Sequence, residues 1–246
     1  MPVMRLDKFL SNMGVESRKG VRSFLREGAV SVDGEIVKKQ DMKIDTDKNI
    51  IKVYDEVLVY QKYIYLMMNK PPGVISATDD PSERDQTVID LIPEEFAYFD
   101  PFPVGRLDKD TEGLLLLSND GIFSHRTLSP KKHVPKVYYA KISGKLTDLD
   151  IAAFEKGIKL DDGYVCQSAG LKILSSGEIS EGEITISEGK FHQVKRMFEA
   201  VGKSVTYLKR LSFAGIMLDE SLELGDVREL NVEEMQKISR FISNEN

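Results

Sequence analysis

Val104-Gly105-Arg106-Leu107-Asp108-Lys109-Asp110-Thr111-Glu112-Gly113-Leu114-Leu115-Leu116-Leu117-Ser118-Asn119-Asp120-Gly121 is the stretch from which the rest of the chain can be read. Four consecutive leucines are too few for the core of a helix. Gly113 bounds them on one side and Asn119-Asp120-Gly121 on the other, so 114–117 reads as a buried strand. Ahead of it, a glycine-bounded turn carries Arg106, Asp108, Asp110 and Glu112, charged groups gathered where the floor of an active site can be built. Residue type alone also allows a loop whose carboxylates only cap backbone amides.

Outward from this strand the pattern is one of strands with a few helices. Tyr63 to Met68 reads as a strand broken by Pro71-Pro72-Gly73, and 76–100 as an acidic loop with one short helix near Thr87–Leu91. Val137–Ile142, Gln167–Leu174 and Glu183–Ser187 read as further strands, the last preceded by Ser-Gly-rich turns at 175–182. Thr147 can cap a helix running to Lys156 with Gly157 as its exit. His192–Val201 is helical in period, with Val194, Met197, Phe198 and Val201 on one stripe and Gly202 as its stop; an acidic helix follows at 232–242.

The first forty-five residues form a module of their own. Leu6, Phe9, Leu10 and Met13 recur at helical spacing up to Gly14; a second helix, which Ser17 can cap, carries Val21, Phe24 and Leu25 and ends at Gly28. Val30 and Val32, an Asp33-Gly34 turn of type I′, and Ile36-Val37 then describe a hairpin. The polar segment 46–61 reads as a linker, leaving 62–246 as the second domain. The whole is an α+β protein: a small helix-and-hairpin domain, then a mixed, mainly antiparallel sheet with flanking helices.

With 246 residues, 41% of them hydrophobic and 30% charged, the composition is that of a globular protein. No apolar run approaches a membrane span, which gives the expectation of a cytoplasmic protein. One cysteine, Cys166, and three scattered histidines offer no metal-ligand spacing, so neither metal nor cofactor is expected. The net charge of −6 argues against a nucleic-acid partner until its distribution is considered. Residues 1–26 carry +4, 189–211 carry +5, and 125–145 hold six basic groups and no acid, whereas 76–100 carry −7 and 219–234 carry −6. Segregation of this kind suits one basic face and an acidic back.

The 104–121 stretch resembles the signature of bacterial pseudouridine synthases, in which the aspartate of Gly-Arg-Leu-Asp is the catalytic carboxylate; here it falls on Asp108. Three further segments carry the resemblance in the same order: Asn69-Lys70-Pro71-Pro72-Gly73-Val74, Lys136-Val137-Tyr138, and Gly189-Lys190-Phe191-His192-Gln193-Val194-Lys195-Arg196-Met197. Lys190 departs from the family's usual arginine, which weakens any planar bidentate contact there. The N-terminal module is similar to the S4 RNA-binding domain of the RsuA-type branch. Ser124-His125-Arg126-Thr127-Leu128-Ser129-Pro130-Lys131-Lys132-His133 resembles the small-subunit ribosomal RNA type within it.

The resemblance implies isomerisation of a flipped-out uridine in ribosomal RNA. It makes Asp108 the nucleophile or base, Tyr138 the ring against the uracil, and Lys195 the cation that keeps Asp108 ionised, with Arg196 as fallback. Arg106 would fill the space the uridine vacates. Arg5, Lys8, Arg18, Lys19, Arg22, Lys136, His192, Gln193 and Arg196 complete the expected RNA contacts, His192 without a second group that would make it a general base. A monomer acting on a ribosomal assembly intermediate is the expected working form. A large-subunit enzyme of the same branch, a non-catalytic assembly factor, and a hydrolase using Asp108 with Asp110 are the rivals. The first would differ only in its target, the second has no need of Asp108, Tyr138 and Lys195 together, and the third lacks a sugar-stacking tryptophan.

Overall fold

Leu6, Phe9 and Leu10 fall on one face of a short helix and have no water-accessible surface, so the first unit forms around them. The computed structural model describes residues 3–16 and 20–242. In the first unit these are β1 (Val3–Arg5), α1 (Leu6–Asn12), α2 (Val21–Arg26), β2 (Val30–Val32), β3 (Glu35–Ile36), β4 (Lys43–Asp45), β5 (Ile51–Val53), β6 (Glu56–Leu58) and, from the separate stretch Pro93–Pro101, α3 (Glu94–Ala97). The two N-terminal helices pack on Val30, Val32, Ile44 and Ile51. Asp33 and Gly34 both have positive φ, 52° and 87°, as the expected type I′ turn requires. The proposed cap Ser17, with Arg18 and Lys19, lies outside the described residues.

The segment 46–61 is not a linker. Ile51, Lys52 and Val53 pair with Val32, Ser31 and Val30, and β6 pairs in turn with β5, giving a four-stranded sheet in the order β3-β2-β5-β6. The reason it reads as polar is physical. Three-residue strands are too short to show alternation, and of the residues in β5 and β6 only Ile51 is fully buried.

The second unit, Tyr65–Ile92 with 102–242, is built on β7 (Tyr65–Lys70), β8 (Phe102–Pro103), β9 (Glu112–Ser118), β10 (Lys136–Ser143), β11 (Gly170–Ser175), β12 (Ile179–Ile186), β13 (Ser204–Phe213), β14 (Ile216–Met217) and β15 (Val227–Glu229). Their order is β11-β12-β10-β13-β9-β7-β15, with β14 beside β13 and β8 beside β9. All named strand pairs are antiparallel except β9 with β13, where Glu112 and Gly113 face Lys209 and Arg210. The leucine strand β9 lies between β7 and β13, and burial on both faces explains its unbroken run.

Four helices flank the sheet: α4 (Gly121–Leu128), α5 (Asp148–Lys156), α6 (Gln193–Ala200) and α7 (Val232–Ile238). Thr147 caps α5 in a capping box with Asp150, as its sequence suggests. Asp120 caps α4 through the N–H groups of Ile122 and Phe123. The strand read at Gln167–Leu174 starts only at Gly170, and β12 begins at Ile179, so the Ser-Gly-rich turn is confined to the three residues between them and β11. The short helix near 87–91 is one 3₁₀ turn, Ile89–Leu91. Among the described residues no helix is long and apolar enough to cross a membrane.

Candidate active site

The turn before β9 is held from below by groups that do not face solvent. Lys70, fully buried at the end of β7, donates through Nζ to the carbonyls of Pro71 (2.9 Å), Thr111 (3.0 Å) and Lys109 (3.3 Å). Burial pushes its ammonium down to about 8, while Asp110, Asp108 and Glu112 pull the other way. Ser76 Oγ donates to the Leu107 carbonyl and accepts from the Leu107 N–H, both at 3.0 Å. Gly113 makes the exit possible. Its φ is +99°, and a Cβ there would lie 2.3 Å from the Arg210 carbonyl oxygen.

Asp108 projects from this turn into a cleft of about 670 Å³, within the range of small-ligand sites. Lys195, on the first turns of α6, stands 3.4 Å from Asp108 Oδ2 and also donates to Asp110 at 2.6 and 2.8 Å. The lysine therefore bridges two carboxylates, and its tighter bond is to Asp110, whose carboxyl that bond holds below the usual range. His192 Nε2 lies 3.6 Å from Asp108 Oδ1. The expectation that His192 lacks a second group is thereby corrected. Its left-handed backbone, φ 48° and ψ 33° immediately before α6, swings the ring to Asp108, a placement that helical period cannot reveal.

Tyr138 lines the same cleft from β10, with only 7% of its surface exposed. Its cross-strand partner is Arg210 of β13. Among the described residues the Tyr138 hydroxyl has no bonded protein group, so it is available to a ligand. Arg106 also lines the cleft, exposed and free of any ion pair among the described residues; the alternative in which it pairs with Asp108 or Asp110 does not occur.

Other expected RNA contacts are placed differently. Arg196 is not a partner of Asp108. Its guanidinium pairs with Asp161 and, at 2.7 Å, with Asp162, because consecutive residues on a helix face different directions and Lys195 takes the cleft side. Gln193 is buried and donates to Glu188 at 2.6 Å while accepting from the Lys190 N–H at 2.8 Å, so it supports the loop from inside. Lys136 is half-buried, its Nζ donating to the Val134 carbonyl at 3.2 Å; burial, with Arg210 adding to it, pushes it down to about 8. In the first unit Lys8 and Arg22 are exposed, and Arg5 is engaged with Asp7 at 2.6 Å.

Three supporting residues escaped the sequence reading. Arg210, 2% exposed, donates through Nε to the Leu114 carbonyl at 2.7 Å, and its Nη2 has no bonded partner. In sequence it is one charge of the basic stretch 189–211; in the strand it lies on the buried face with Leu208 and Ser212. Glu188 accepts from Tyr164, Gln193 and the Gln167 N–H, and its bond pushes the Tyr164 phenol up to about 12. Lys70 belongs to the Asn69–Val74 motif, whose residue types give no sign that it braces the turn. Among the described residues no group of three His, Cys, Asp or Glu side chains is arranged to hold a metal ion.

A carboxylate on a braced turn, a lysine beside it and a buried tyrosine therefore face one cleft. The chain belongs to the RNA pseudouridylate synthase family, whose profile matches residues 64–200, and it carries an S4 domain matching residues 4–50. Among individual relatives, it is 48% identical to the uncharacterized RNA pseudouridine synthase YtzG of Bacillus subtilis, over 96% of this chain and 98% of that one. It is 37% identical to ribosomal small subunit pseudouridine synthase A of Salmonella typhimurium, covering 96% and 100%. It is equally, 37%, identical to ribosomal large subunit pseudouridine synthase B of Bacillus subtilis, covering 95% of each. A crystal structure of a pseudouridylate synthase superposes with a TM-score of 0.66 at 36% identity, covering 96% of this chain and 99% of that one.

Proposed function

We propose that this chain converts one uridine of small-subunit ribosomal RNA to pseudouridine, with Asp108 as the catalytic carboxylate. The reaction breaks the C–N glycosidic bond and rejoins the same base to the ribose through carbon, so nothing is released. Asp108 acts beside the sugar, by covalent attack or by removing a proton. Tyr138 lies against the uracil, where a flat ring with a free hydroxyl can stack and meet a polar edge. The uridine reaches them only by leaving its helix, and Arg106, exposed and unpaired at the cleft, takes the vacated place. The S4 domain supplies affinity and not chemistry.

The observation that carries this reading is Asp108 beside Lys195 in a cleft that also holds Tyr138, with the exposed Asp110 as the lysine's second carboxylate. Lys195 Nζ, 3.4 Å away, puts a positive charge beside the carboxylate that either route uses. The small-subunit assignment rests on the 124–133 segment; with 37% identity to a small-subunit and to a large-subunit relative alike, a large-subunit target is the second reading. Carbodiimide mapping of pseudouridine in total ribosomal RNA tests both. Cells lacking the protein, complemented by wild type or Asp108→Ala, are expected to lose one small-subunit site that only wild type restores. A lost large-subunit site corrects the target, and an unchanged map refutes the reaction on ribosomal RNA.

A further inference from the structure

Phe191 leaves 75% of its surface exposed at the edge of the cleft. Its ring stacks on His192, centroids 3.7 Å apart at 19°, and His192 in turn approaches Asp108 at 3.6 Å. An aromatic ring on a loose loop would need no explanation, but this loop is fixed from several sides. Gln193 accepts from the Lys190 N–H, Arg196 reaches the Phe191 carbonyl at 3.5 Å while it pairs with Asp161 and Asp162, and Lys190 lies 4.5 Å over the Tyr164 ring. His192 keeps its left-handed backbone within that frame. One face of the phenyl ring is thus held open to water in a cleft that Lys190 and Arg106 also line.

We propose that Phe191 is a stacking platform for the nucleobase adjacent to the flipped uridine, forming a second nucleotide subsite at the mouth of the cleft. The inference rests on reading the cleft as the uridine site. A flipped nucleotide leaves a 5′ and a 3′ neighbour, each with one uncovered face; Arg106 can cover one, and a fixed phenyl ring covers the other whatever its sequence, since every base has a π-face. The stack would run neighbour base, Phe191, His192, and end at Asp108. It would hold the strand open in register with the carboxylate without reading sequence, while Lys190 meets the backbone charge.

The test uses single-stranded RNA nonamers with one central uridine and 2-aminopurine on its 5′ or 3′ side, titrated at low salt with the full-length protein. Wild type is expected to quench one of the two probes saturably. Phe191→Ala should abolish that quench and weaken binding between about 5-fold and 150-fold, whereas Phe191→Tyr restores both. Asp108→Ala keeps the quench. Equal quench and affinity in Phe191→Ala, or no saturable quench by wild type at either position, overturns the inference. The two failures separate cleanly. A Phe191-dependent quench with an unchanged ribosomal RNA map sinks the functional reading alone, and a mapped site without Phe191 dependence sinks only the platform.

Discussion

Replacing Lys70 with methionine should separate the stability of this protein from its activity. The native ammonium is fully buried and lowered from 10.5 to about 8, which withholds about 3 kcal/mol of stability at neutral pH. Methionine fills similar space without a charge and recovers that amount. It also strands the Pro71 and Thr111 carbonyls, at about 1–3 kcal/mol each, while the Lys109 carbonyl keeps the Gly73 N–H at 2.7 Å. The two effects offset, and the net change at pH 7 should lie within about 3 kcal/mol of zero. Activity has no such compensation. Asp108 sits on the turn that Lys70 braces, and a displacement of the order of 1 Å costs about 100-fold in single-turnover rate. The pH dependence gives a second reading. Between pH 8 and 10.5 the unfolded chain still protonates Lys70 and the native one does not, so wild-type stability gains over this window relative to Lys70→Met. Urea unfolding at pH 7 and pH 9.5, with rates on the mapped RNA, decides the matter. A folded Lys70→Met variant within threefold of wild-type rate would refute the brace, and a pH-independent stability difference would refute the buried, lowered ammonium.

Gly113→Ala should be severely destabilising, by about 3 kcal/mol or more, because it combines φ +99° with a Cβ 2.3 Å from a neighbouring strand's carbonyl; thermal melting would show it as a large drop in Tm. Arg196→Ala removes exposed-partner ion pairs and should change stability by less than about 1 kcal/mol, yet raise KM by loosening the loop at Phe191, so urea and steady-state data should diverge. Lys203→Met strands the buried Asp150, its partner at 2.5 Å, and should cost about 3 kcal/mol at pH 7. Asp150 has a lowered carboxyl pKa: burial opposes the shift, but the Lys203 and Thr147 hydrogen bonds outweigh it. The wild-type advantage is therefore full above pH 3.8 and is lost as pH falls through the lower native value, which acid titrations of both proteins would reveal.

Much of this was legible from local chemistry. The Leu114–Leu117 run, the Asp33-Gly34 turn, the Thr147 cap and the stripe of α6 each express a short-range rule, and each appears where the sequence puts it. Strand β13, the longest in the sheet, is not legible in sequence: its mix of Tyr207, Lys209 and Arg210 looks like solvated surface until β9 and β10 pair with both its edges. The linker reading failed for a related reason, since short strands that bury one side chain among charges carry no period. Within the site, Asp108, Tyr138 and Lys195 came through motif resemblance and do share one cleft. What sequence could not supply were relations across space: Lys195 divided between two carboxylates, Arg196 turned toward Asp161, Gln193 facing inward to Glu188, and His192 brought to Asp108 by an unusual backbone.

The parallel seam of β9 against β13 joins two parts of the chain that are far apart in sequence. Asp108 belongs to the half of the sheet made of β7, β8 and β9, while Tyr138 and Lys195 belong to the half that runs from β10 to β13. Each half has antiparallel neighbours of its own, but the seam joins residues such as Leu114 and Arg210, 96 positions apart, and such distant closures come late. Asp108 precedes Tyr138 and Lys195 in the chain, and topology leaves its meeting with them to this distant closure. Only when β13 lies against β9 do the two halves of the sheet bring the three side chains to one cleft.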